Sequence, residues 1–198
     1  AAGEAGRLED HPSSVSGLAF SPDGRQLAAS HYNGVTLWSV GSGARIRTLP
    51  FKGSHIGVSW SPDGRFVVSA TQERELHVWD LVTEKDFRLG GYSTKVRSLA
   101  WMAEPMHLVC SGADAITAWP FGDVGPGVLP PKEIGFGHKS TVVRVAVQDA
   151  ASMADLSIGQ PPFKAPATPD RYGPGVPMGV PSERAFRRTG RPAAHPDR

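Results

Sequence analysis

The residues best placed to do chemistry are few. Gly137-His138-Lys139-Ser140-Thr141 has the lysine and hydroxyls of a phosphate-binding loop. Such a loop needs glycine before the lysine, so that backbone N–H groups wrap the phosphate, and a helix opening after it. Here histidine precedes the lysine and a strand-like Val142-Val143-Arg144-Val145 follows, so the stretch opens a β unit instead. Gly91-Tyr92-Ser93-Thr94-Lys95 lacks the closing glycine of a nucleophile elbow. The seven histidines, at 11, 31, 55, 77, 107, 138 and 195, include no pair at metal-ligand spacing. Asp23 and Asp63 invite a paired-acid reading, but each lies in a Ser-Pro-Asp-Gly turn, where its carboxylate bonds the backbone two residues on. Trp60 and Trp101 have the rings for stacking platforms; their spacing of 41 residues assigns them instead to packing between repeated units. Cys110, the one cysteine, follows Leu108-Val109 and reads as a small buried residue. The residues therefore point to no catalytic group, no metal and no cofactor.

These residues are positioned by a repeated β unit. Val58 to Leu81 reads as strand, tight turn, strand, polar break, strand, with proline and glycine of Ser61-Pro62-Asp63-Gly64 presetting the turn. Leu18-Ala19-Phe20-Ser21-Pro22-Asp23-Gly24-Arg25 repeats Val58 to Arg65 at an offset of 40, and Leu99-Ala100-Trp101 follows 41 beyond Trp60. Trp38, Trp79 and Trp119 close the copies at steps of 41 and 40. Strands are expected at 15–20, 26–30, 35–40 and 44–49, then at 55–60, 66–70, 76–81 and 86–89. A third set is expected at 96–101, 107–111, 115–119 and 132–135, with 141–147 opening a fourth. Asn33-Gly34 is a strong hairpin signal, whereas Phe121 to Pro131, with three glycines and three prolines, is a loop.

A period of about 40–45 residues with a Trp-Asp dipeptide marks a propeller blade, and at these residues the chain resembles the WD-repeat family. Trp79-Asp80 matches the family dipeptide, Trp38-Ser39 and Trp119-Pro120 are degenerate copies, and Gly137-His138 resembles the blade-opening Gly-His, with Asp10-His11 a variant. The resemblance covers roughly residues 7 to 147. It implies an all-β, WD40-type β-propeller fragment of about three and a half four-stranded antiparallel blades. Family blades often share a buried network of His, Ser or Thr, Asp and Trp. Here His11, Ser30 and Trp38 stand in the first blade with Asn33 near the aspartate place. Phe51 takes the histidine place in the second blade, and Tyr92 takes it in the third, beside Ser111, Asp114 and Trp119. No blade has all four members, so apolar packing must do more than that network.

Two segments follow: 1–147 as the partial propeller, and 148–198, with nine prolines and five glycines, as a disordered tail. That tail is either a natural proline-rich extension or an out-of-frame product, and 1–5 reads as the end of a preceding blade. Residues 1–147 hold 14 Lys/Arg against 14 Asp/Glu, without the basic stripe that nucleic acid requires. No run of about 18 apolar residues is present, so no membrane span is expected. The lone cysteine fits a reducing, cytoplasmic setting. The resemblance implies a non-enzymatic scaffold that binds other proteins through a loop face around the channel. There the loops would present His31, Tyr32, Phe51, Lys52, Gln72, Glu73, Arg74, Tyr92 and Lys95. For Phe51 and Tyr92 a second reading stays open, that they only fill the missing histidine's place. A module of a larger enzyme or signalling protein, or a truncated product, are the alternative functional readings. Uncovered blade edges imply self-association.

Overall fold

The computed structural model describes residues 11–122, 125–135 and 140–147, which form ten β-strands and no helix. These are β1 (Gly17–Phe20), β2 (Gln26–Ser39), β3 (Arg45–Trp60), β4 (Phe66–Thr71) and β5 (Leu76–Asp80). β6 (Asp86–Leu89), β7 (Leu99–Met102), β8 (His107–Cys110), β9 (Ile116–Pro120) and β10 (Lys132–Ile134) complete the set. Antiparallel pairing runs in chain order through a six-stranded sheet, β1 to β6, and a four-stranded sheet, β7 to β10. The readings of 1–5, of Gly137-His138 and of 148–198 lie outside the described residues.

Two strands are longer than the repeat predicts, and each serves twice. Fifteen extended residues would separate Arg25 from Val40 by about 50 Å, yet the Val40 N–H donates to the Arg25 carbonyl at 2.9 Å. The chain therefore reverses inside β2, at Asn33 and Gly34, whose φ values are 69° and 149°. Glycine is required there, because a Cβ on Gly34 would run into the Leu49 carbonyl oxygen. The two arms of β2 are the second and third strands of the first blade. β3 carries the outer strand of that blade, paired through Leu49↔Val35, straight into the inner strand of the next, paired through Ser59↔Val68. The expected break at 50–54 is a bulge within one continuous strand: Tyr32↔Ser54 and Gly34↔Pro50 set one residue of β2 opposite three of β3, with Gly53 at φ 126°.

Period-two alternation explains how blades stack. All six residues of β4 are buried. Val67 packs with Val35, Leu37, Trp60 and Trp79 toward the first blade, while Phe66 and Val68 pack with Leu108, Trp119 and Phe121 toward the third. A strand buried on both faces needs apolar residues at every position, as Phe66-Val67-Val68 supplies. Each such side chain contributes about 2 kcal/mol of burial. The paired tryptophans lock this stacking: Trp60 Nε1–H donates to the Ala19 carbonyl at 3.1 Å, and Trp101 Nε1–H to Ser59 Oγ at 3.0 Å. Both link one blade to its predecessor, as their 41-residue spacing implies.

The turn aspartates behave as expected. Asp23 and Asp63 accept the N–H of Arg25 and Arg65 at 3.0 and 3.1 Å. Residues 141–147 correct an expectation, since they are not a strand. A strand exists through its ladder, and this segment is held otherwise. Val142 exchanges backbone bonds with Gly112 and Ala113, and Val145 is pinned through Ser98 Oγ. Val145 and Val147 still cover Met102, Val109 and Ala118.

Candidate functional site: a stitched loop face over a histidine layer

On one end of the blades, each hairpin turn is bonded to a neighbouring loop. Tyr32 N–H donates to Ser13 Oγ at 2.9 Å, Gly53 N–H to Asn33 Oδ1 at 3.2 Å and Gln72 N–H to the Ser54 carbonyl at 3.0 Å. Arg74 Nη1 donates to the Ser93 carbonyl at 3.3 Å and Thr94 N–H to the Gly112 carbonyl at 3.0 Å. Turn after turn is thereby tied across all three blades. Asn33 and Arg74 are left-handed, with φ of 69° and 63°; a non-glycine residue in that region persists only where its surroundings hold it. The side chains of this face are presented on backbone that is already ordered.

Of the residues expected here, Tyr32, Lys52, Gln72, Glu73 and Arg74 are exposed, and Phe51 and Lys95 are half-buried. His31 and Tyr92 are corrections. His31 is only 2% exposed and Tyr92 only 8%, so neither offers a partner much surface. His31 Nδ1–H donates to the Tyr32 carbonyl at 2.8 Å, and Nε2 accepts from Thr36 Oγ1 at 2.8 Å. Tyr92 fills the missing histidine's place and accepts the Trp119 Nε1–H at 2.7 Å. Phe51 fills its place by stacking on the His77 ring, 3.6 Å between centroids.

Beneath the face lies a layer of rings that sequence reading treated as unrelated. His55 supplies in the second blade the hydrogen bond that Phe51 cannot make: its Nδ1 accepts from Ser69 Oγ at 2.7 Å and its Nε2–H donates to the Phe51 carbonyl at 2.9 Å. Phe51 and His55 are four residues apart in β3, and the bulge at Gly53 between them brings their rings to 5.9 Å. That spacing, together with an intact Ser69, is the signal that could have found it. His77, fully buried, sits with Nε2 3.0 Å from Asp86 Oδ2. Burial lowers the pKa of His77 against the opposing pull of Asp86, and burial likewise lowers that of His55. Cys110 is fully buried, which pushes its thiol up to about 12 and makes it inert.

The opposite end of the second blade shows what the Trp-Asp dipeptide does. Asp80 is 3% exposed. It accepts Arg65 Nη2 at 2.6 Å and Nε at 3.2 Å, and the Val82 and Thr83 N–H groups at 2.9 and 3.2 Å. Burial alone would raise its pKa; the Arg65 guanidinium and the turn N–H groups outweigh it and bring the value to about 2. Ser39 and Pro120 occupy the corresponding positions and cannot make this ion pair.

Inward of the stitched loops, an open cleft of about 320 Å³ is lined by Ile56, Gln72, Lys95, Arg97, Val143 and Arg144. Arg97 and Arg144 escaped sequence reading, because they come from different segments and share no motif.

Comparison with known proteins matches residues 4–39 and 43–80 to the WD domain, G-beta repeat family. The meiotic recombination protein rec14 of Schizosaccharomyces pombe is 32% identical over 54% of this chain and 36% of its own length. The chromatin assembly factor 1 subunit FAS2 homolog of Oryza sativa subsp. japonica is 32% identical over 48% of this chain and 20% of its own. The crystal structure of RRP9 WD40 repeats superposes with a TM-score of 0.58 at 20% identity, covering 70% of this chain and 43% of that one. The matched regions span less than half the length of each of these proteins.

Proposed function

Since this chain belongs to the WD-repeat β-propeller family, we propose that it is a non-enzymatic scaffold that binds other proteins through the stitched loop face. The observation that carries this reading is the belt of hydrogen bonds from Ser13 to Gly112. It presents Tyr32, Lys52, Glu73 and Arg74 on turns that are ordered before any partner arrives. Preordered loops lose little conformational freedom on binding, and an exposed tyrosine and arginine on one face are residue types enriched in binding hot spots. Relatives named as a chromatin assembly factor subunit and as a cofactor of the APC complex support the same reading. Because the matched region is a fraction of those proteins, this unit serves as a module that positions partners within a larger assembly. The single cysteine supports a reducing compartment, and we place the protein in the cytoplasm.

Affinity capture with the tagged chain tests it. Tyr32→Ala and Arg74→Ala are expected to lose partners that the parent chain retains, with Tyr32→Ala, which removes none of the stitching bonds, keeping the parent's circular dichroism and thermal transition. Unchanged capture by both variants would overturn the assignment of the face.

A further inference from the structure

The central cleft concentrates charge that the rest of the domain balances. Residues 1–147 hold 14 basic and 14 acidic side chains, yet three cations, Lys95, Arg97 and Arg144, line one opening of about 320 Å³ with no acid in its wall. Three other arginines meet acids: Arg47 meets Glu84, Arg65 meets Asp80 and Arg88 meets Glu75. Among the described residues no carboxylate lies within ion-pair reach of the three cleft cations.

Their convergence is built into the backbone. The Arg97 N–H donates to Ser111 Oγ at 3.0 Å. The segment bearing Arg144 is fixed on both sides, by the Val142 N–H to the Ala113 carbonyl at 2.8 Å and the Val145 N–H to Ser98 Oγ at 3.1 Å. Three cations lining one opening make it electropositive, and an anion bound there is attracted by all three. The guanidinium fork suits a carboxylate in two-point contact. Ile56 and Val143 offer aliphatic wall to the methylenes beside it. The space is at the lower end of ligand-sized clefts, enough for one or two side chains. No aromatic ring lines it, so the stacking surface of single-stranded nucleic-acid sites is missing from it.

We propose that this cleft receives a carboxylate-rich segment of the partner protein, with an Asp or Glu side chain held between Arg97, Arg144 and Lys95. The assignment rests on the scaffold reading and narrows it to acidic partners.

The test is fluorescence anisotropy on the full chain with a labelled peptide alternating glutamate and valine, beside its glutamine counterpart. The acidic peptide is expected to bind, more weakly as salt rises, and the glutamine peptide to bind at least about tenfold more weakly. Arg97→Gln combined with Arg144→Gln, both exposed positions, is expected to lose about tenfold or more, and the outer-strand Arg88→Gln to lose nothing. Equal binding of both peptides, or an unaffected double variant, overturns the proposal. So does inorganic phosphate displacing the acidic peptide at matched charge, which would give the cleft to a phosphate ligand. If the double variant still captures the protein partners that Tyr32→Ala and Arg74→Ala lose, the acidic-segment assignment falls and the scaffold reading stands. If no variant of either set loses them, the scaffold face itself falls.

Discussion

Tyr92→Phe separates a structural from a binding role for a residue that sequence alone left between the rim and the missing histidine's place. Its hydroxyl accepts the Trp119 Nε1–H at 2.7 Å, with Tyr92 8% and Trp119 1% exposed. The substitution keeps the ring and removes one oxygen, so packing volume changes little. It leaves a buried indole N–H without an acceptor, which costs about 1–3 kcal/mol. The indoles of Trp38 and Trp79 already have no acceptor among the described residues, so Trp119 is the one of these three with a hydrogen bond to lose. Taking about 2 kcal/mol and a urea slope of about 2 kcal/mol per molar, the unfolding midpoint should fall by about 1 M with an unchanged slope. Tyr32→Phe, at an exposed ring, should shift stability by less than about 0.5 kcal/mol. Equilibrium urea unfolding followed by tryptophan fluorescence reads both. An unchanged midpoint for Tyr92→Phe, or lost partner capture at full stability, would refute the reasoning and return Tyr92 to the binding surface.

Three further outcomes are expected. Burial lowers the folded-state pKa of His55 and His77 below the unfolded value, so the unfolded chain binds protons first. Stability should then fall as pH drops below about 6.5 and continue falling toward the folded-state values. Urea midpoints between neutral and mildly acidic pH test this, and a flat profile would contradict it. Asp80→Asn should lose about 1–2 kcal/mol after allowance for solvent at the Arg65 edge, and Ser39→Asp, facing Arg25 in the first blade, should gain up to about 1 kcal/mol; thermal unfolding that moves in the opposite directions would break the repeat analogy. Leu18 and Phe20 are 61% and 62% exposed on the first blade, an apolar pair that invites association, so serine at both positions should shift light-scattering mass toward the monomer, and an unchanged mass would clear this face.

The three complete blades, the turns and the interblade tryptophans were legible because they depend on neighbours in sequence. Ser61-Pro62-Asp63-Gly64 makes its turn from its own residues, with Gly64 at φ 71° and its N–H bonded to the Ser61 carbonyl at 2.9 Å. A 41-residue spacing returns Trp60 and Trp101 to equivalent places whatever surrounds them. The exposure of Glu73 and Arg74 was legible for the same reason, since the polar break between β4 and β5 marks a turn.

What tertiary structure alone decided is which side chains meet across those units. His31 sits in a hairpin and reads as surface; its burial follows from Thr36, which the reversal at Asn33-Gly34 brings beneath it. His55 replaces a histidine missing four residues earlier, because Ser69 on the neighbouring strand lies 2.7 Å away. Arg97 and Arg144 share a cleft although 47 positions apart. Local sequence sets the period and the turns, because those energies are spent within a few residues of backbone. Contacts between blades are set by register and by the angle at which sheets stack, and no single stretch of chain encodes either.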